Sequence, residues 1–133
     1  MISPHLTLLA GRLLIAALFI GGAVQKAVDP GQVMRLLTGL GMPAGLVWPA
    51  LGFNAVAGIG LVIGVGVRPV AYVLAGYCAF TSIFHYIPAD PWQMSIFVKN
   101  WAIAGGCLCL GVVGSGKFAV RPDTYFTFSP RLR

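Results

Sequence analysis

Polar side chains are scarce in this chain, and most of those able to do chemistry stand where long apolar runs begin or end. The stretch FHYIPADPWQMSIFVKNW, residues 84–101, closes one oily segment with His85 and opens the next with Lys99 and Asn100. Gln25 and Lys26 close the first apolar run, and Asn54 interrupts the second. Ammonium, amide and imidazole groups together can hold a carbonyl or an anionic head group, and histidine can carry a proton near neutral pH. No carboxylate lies within any apolar run, which argues against a carboxylate proton relay. His5 and His85 fall at opposite ends, so they cannot share a haem. The odd set Cys78, Cys107 and Cys109 has no C-x-x-C spacing, and Cys107 and Cys109 point about 200° apart on a helix. They read as small core- or lipid-facing residues. No H-E-x-x-H, nucleotide loop or serine-hydrolase motif is present, so no catalytic or metal-binding residue is assigned.

The elements that must carry these groups are membrane helices. Of 133 residues, 58% are hydrophobic and only 9% charged, against about 25% charged in soluble domains. Four apolar runs stand out, at about 6–25, 45–66, 69–87 and 95–114. Each has the roughly 20 residues that a helix needs to cross about 30 Å of hydrocarbon. Membrane strands would be half as long and would alternate. The first run lacks a basic leading region and an A-x-A site, so it reads as a retained helix rather than a signal peptide. Tight connections (DPGQ, GVRPV, PADPW) make neighbouring spans antiparallel, which predicts an all-α, up-down-up-down bundle of four transmembrane helices in a single domain, 1–133. Residues 32–40 predict a short amphipathic surface helix with Val33, Leu36, Leu37 and Leu40 inward and Arg35 to water. A polar tail, 117–133, follows.

Depth and face then sort the polar groups. Gln25, Lys26, His85, Lys99 and Asn100 gather at one end, with Asn54 just beneath, while Arg12 and Arg68 occupy the other. Asn54 shares a helical face with Ala50, Ala57 and Gly58, Asn100 with Ala104, Cys107 and Gly111, and His85 with Cys78 and Thr81. Lys26 lies within about 40° of Arg12 around its helix. These faces predict that Lys26, Asn54, His85, Lys99 and Asn100 form a head-group site. Plainer readings stand beside this one: both lysines and Arg12 can snorkel to head groups, and His85 can be helix glue. Trp48, Tyr86 and Trp92 read as an interfacial belt. The pairs Gly60/Gly64 and Ala102/Gly106 read as close-packing sites, so Gly60→Leu is expected to lower the melting temperature. Basic residues favour the end that holds the termini (Arg68, Lys117, Arg121, Arg131, Arg133), which puts both termini in the cytoplasm. The net charge of +6 is scattered singly along the chain, unlike the clusters that bind nucleic acid.

The order GRLLIAALFIGGAVQK, GLGMPAGLVWPALGFNAVAGIGLVIGVGVRP, FHYIP, KNWAIAGGCLCL and GSGKFAVRPD resembles the DoxX family of small four-helix bacterial membrane proteins. The resemblance spans about residues 10–123. Its more specific parts are Gly11–Arg12, Lys26, Gly64 with Arg68–Pro69, His85 and Lys99–Asn100. Family members often carry a glutamate where this chain has Asn54, and an amide cannot move a proton. The resemblance implies a bacterial inner-membrane protein linked to quinone-dependent oxidoreductases, since related archaeal DoxD proteins resemble subunits of such enzymes.

Together these readings predict an accessory subunit of a membrane redox or energy-transducing complex, with no redox centre of its own. It would contact a quinone or lipid head group at the non-cytoplasmic end. Its partners would be membrane lipids, a larger membrane complex and a second copy of the chain. The alternative is a non-catalytic scaffold or assembly protein packed against such a complex. Transport fits poorly without an internal repeat or broken helices.

Overall fold

The computed structural model describes residues 2–124, and these are all-helical with no strand. Met1 and the tail residues 125–133, with the Arg131 and Arg133 that bear on orientation, lie outside the described residues. The helices are α1 (Pro4–Val28), α2 (Pro30–Gly39), α3 (Val47–Ile63, entered through a 3-10 turn at Ala44–Leu46), α4 (Val67–Ser82, continued by a 3-10 turn at Ile83–His85) and α5 (Pro91–Val113). Four of these segments are long and apolar enough to cross a membrane: Pro4–Val28, Ala44–Ile63, Val67–His85 and Pro91–Val113.

Local chemistry sets the boundaries. Asp29 precedes Pro30 and takes an extended φ of −136°, because proline disfavours the helical region for the residue before it. That break separates α1 from α2. α5 begins at Pro91, earlier than apolarity alone suggests, because Asp90 caps it. The Asp90 carboxylate accepts from the Trp92 and Gln93 N–H groups at 3.0 and 3.3 Å. α3 ends at Gly64, whose φ of +78° suits glycine, and the Gly64 N–H closes onto the Gly60 carbonyl at 2.9 Å. In α2, Leu37 is buried and Arg35 exposed as its periodicity predicts. Leu40 falls just past the helix and is exposed, because the turn at Gly41 carries it off the apolar stripe.

The bundle is two tightly packed antiparallel pairs, α1 with α3 and α4 with α5. Ala16, Phe19, Ala57 and Leu61 from the first pair meet Ala71, Leu74, Ala104 and Cys107 from the second in one core. Cys78 is buried with them, while Cys109 faces outward.

Of the pair Gly60/Gly64 that the G-x-x-x-G spacing selects, Gly64 is buried and tightly packed, against Ala119 and Arg12 rather than against the face of a neighbouring span. The close helix–helix contacts fall at other glycines. A Cβ at Gly58 would lie 2.6 Å from Ile20 Cγ1, and one at Gly111 3.0 Å from the Tyr72 ring, whereas a Cβ at Gly60 meets only the Val65 carbonyl at 3.5 Å. Ala102 and Gly106 are exposed. Gly60 instead lines a groove where α3 and α4 diverge.

Candidate functional site

The two ends of the bundle use their polar residues differently. At the end holding the chain's termini, residues 114–124 fold back beneath the helices, and Arg12 is their anchor. This guanidinium is 1% exposed, and it donates from Nη1 to the Ser115 carbonyl at 2.8 Å. From Nη2 it donates to the carbonyls of Phe118 at 2.6 Å and Val62 at 3.4 Å. Asp123 faces it through space as the nearest opposite charge. The Asp123 carboxylate accepts from the backbone N–H groups of Arg68 and Ser115 at 2.8 and 3.0 Å. Arg68 donates from Nε to the Gly111 carbonyl at 2.8 Å. Two strand-like bonds finish the seam, from the N–H groups of Val120 and Arg121 to the carbonyls of Ile63 and Gly64.

Arg12 therefore does not snorkel to head groups, because three carbonyls within the protein already hold it. Arg68 likewise serves the fold. Asp123 is a residue that sequence reasoning missed as part of a site. Its signal was present, since it closes the GSGKFAVRPD block, but a polar tail after the last span reads as solvent-exposed.

At the opposite end a cavity of about 990 Å³ opens between α1, α2, α3 and α4. Lys26, Asn54, His85 and Asn100 all line it, brought there by four different elements. Its walls are apolar and aromatic, with Phe53, Tyr77 and Phe84 prominent, and no carboxylate lines it among the described residues. Lys26 spends one donor on the Gly22 carbonyl at 3.3 Å, one turn back on its own helix. Asn54 is 3% exposed, and its Oδ1 has no hydrogen-bond partner. Its amide nitrogen lies against Gly22, where a Cβ would come within 3.1 Å. Asn54 also neighbours the Tyr77 side chain. His85 Nδ1 lies 2.7 Å from Gln93 Oε1, which ties the end of α4 to α5. With that oxygen accepting, Nδ1 is the donor of this bond.

Lys99 is the exception. It is exposed, and its ammonium stands 5.6 Å from the Trp92 ring centroid on the outside of α5. Lys99 and Asn100 are consecutive, so about 100° separates them on the helix. Only Asn100 can face the cavity. Trp48, Tyr86 and Trp92 are more than half exposed, outside the cavity, as an interfacial belt requires. Sequence reasoning missed Phe53 and Tyr77 as cavity residues, because aromatics are too common in apolar helices to stand out.

The family model for DoxX matches residues 7–87, which takes in α1 to α4 together with Arg12, Lys26, Asn54, Arg68 and His85. The chain belongs to the DoxX family. It is also similar to the inner membrane protein YqjF of Escherichia coli (strain K12), at 26% identity over 113 residues, covering 84% of this chain and 87% of that one. No solved structure matches it. The matched family region contains both polar ends of this DoxX protein apart from α5 and the returning segment.

Proposed function

We propose that this inner-membrane DoxX protein is an accessory subunit of a redox or energy-transducing complex, and that it holds the head group of a quinone or lipid in the cavity at the end opposite its termini. The observation that carries the reading is the cavity's composition. Apolar walls surround one ammonium with unspent donors, an orphaned Asn54 acceptor, and the His85 and Asn100 side chains. A mostly apolar pocket with a few converging polar groups is the usual form of a small-molecule site. A buried acceptor without a partner costs about 1–3 kcal/mol, which a ligand donor would relieve. A head-group oxygen could accept from Lys26, and a ligand hydroxyl could donate to Asn54 Oδ1. On this reading the subunit would position the ligand while a partner supplies electrons.

The test is the quinone and phospholipid that co-purify in mild detergent, measured by mass spectrometry for wild type, Lys26→Met, Asn54→Leu and Lys99→Ala. A charge-assisted hydrogen bond is worth about 1.5–3 kcal/mol, so Lys26→Met should lower occupancy about tenfold or more. Lys99→Ala should leave it unchanged, since that side chain lies outside. Equal ligand in all four proteins rejects the site. No ligand in wild type favours a second reading, a non-catalytic scaffold packed against a larger membrane complex. That reading draws on the Arg12 cluster, where Arg12, Arg68 and Asp123 bind backbone groups of the chain's own fold.

The excess of basic residues at the end of the termini supports an orientation with both termini in the cytoplasm. A reporter active only in the cytoplasm, fused to the C-terminus, should be active. Activity of a periplasm-only reporter there would reverse the orientation and move the cavity to the cytoplasmic leaflet.

A further inference from the structure

We infer that the ligand of the cavity is a single long-tailed lipophile that enters sideways from the bilayer, its tail lying in the groove between α3 and α4. The inference rests on the head-group reading above and extends it to the other half of the molecule bound. Two observations carry it. First, the groove, of about 550 Å³, is lined only by apolar residues, Gly60, Ile63, Pro69 and Val70 among them. Second, it adjoins the cavity, with Phe53 and Val73 forming a wall shared by both.

The order of residues on α3 gives the direction. Asn54 marks the head-group end, and Gly60 and Ile63 lie six and nine residues further along the helix. At 1.5 Å per residue that is a path of about 14 Å. It runs from mid-span, where Asn54 lies ten residues into the Ala44–Ile63 segment, to the opposite end of α3, so a long tail would continue beyond the cavity into the far half of the bilayer. The packing explains why the path exists. α3 pairs closely with α1 and α4 with α5, so the seams between the two pairs, that of α3 with α4 among them, are loosely filled. Gly60 widens the α3–α4 seam, since the space where its side chain would stand is clear to 3.5 Å. A ligand following this path never has to carry its tail through water.

The experiment measures binding of three probes to the purified full-length protein in detergent: a long-tailed ubiquinone, the same ring without its tail, and a lyso-phosphatidylglycerol with one acyl chain. Gly60→Phe fills the groove, and Lys26→Met removes the ammonium at the cavity. Gly60→Phe is expected to weaken the tailed probes about tenfold while leaving the tail-less ring unchanged. Lys26→Met should weaken the tailed and tail-less quinones alike. Preference for ubiquinone or for the lysolipid in wild type tells which head group the site takes. Should Gly60→Phe fail to fold, Val56→Trp serves, since Val56 lines the same groove and is 73% exposed. If Lys26→Met weakens binding and the groove variants do not, the head-group site stands and the groove proposal falls. Loss of the tail-less ring in Gly60→Phe would also overturn it. Binding of no probe by wild type overturns both readings.

Discussion

Replacing Arg12 with alanine is expected to cost the protein about 3–5 kcal/mol and to release the returning segment. The side chain is fully buried and holds carbonyls of Ser115, Phe118 and Val62, so its removal strands those acceptors beside a cavity. Each stranded buried acceptor costs about 1–3 kcal/mol. Asp123 would lose the opposite charge that faces it. Thermal denaturation in detergent should show a large drop. Trypsin should cut faster after Lys117, because the neighbouring Phe118 carbonyl is one of the anchoring contacts. Arg12→Lys should recover only part of the loss, since one ammonium cannot reproduce a planar fork that grips carbonyls with two nitrogens. A melting curve and cleavage rate equal to wild type for Arg12→Ala would mean that the segment holds itself in place.

Gly58→Leu should be the other severe change. Even the first added carbon would fall 2.6 Å from Ile20 Cγ1 and 3.3 Å from the Ala16 carbonyl. Both contacts are on α1, so the α1–α3 pair must separate along its length. Overpacking of this kind typically costs about 1–3 kcal/mol. In a membrane it also forfeits the close backbone approach that holds helices together. Gly60→Leu, one turn or less away, should melt almost like wild type, because its side chain would enter the groove. Equal losses at the two positions would show that the groove is closed in the folded protein.

These glycines illustrate what the sequence reveals and what it withholds. Four spans were legible because membrane thickness fixes their length and composition, and nothing in tertiary structure can change that requirement. The burial of Asn54 was legible too, from the small residues sharing its face. Which glycine packs was not. Helices that are apolar all round carry little information about which side meets protein and which meets lipid, and α3 is of this kind, so spacing pointed to Gly60 where the contact is at Gly58. Lys99 was misplaced for a related reason, since nearness in sequence to Asn100 and nearness in depth do not fix the angle around α5. The role of Arg12 was beyond any local pattern. Its partners are backbone carbonyls, which every residue has, on a segment that its composition marks as a polar tail.

The Arg12 contacts also impose an order on how the protein is made. Ser115 is 103 positions beyond Arg12, and at translation rates of about 5–20 residues per second the interval between them is roughly 5–20 seconds. For that time the first helix holds a guanidinium whose acceptors on the returning segment, the Ser115 and Phe118 carbonyls, have not been synthesised. Placement of this charge in the apolar phase costs a few kcal/mol until they arrive, so α1 reaches its final setting only when the returning segment does. Ribosomes stalled before residue 115 should leave α1 shallow or extractable, and release of the completed chain should seat it. The closing segment thus makes assembly of the bundle contingent on translation having passed all four spans.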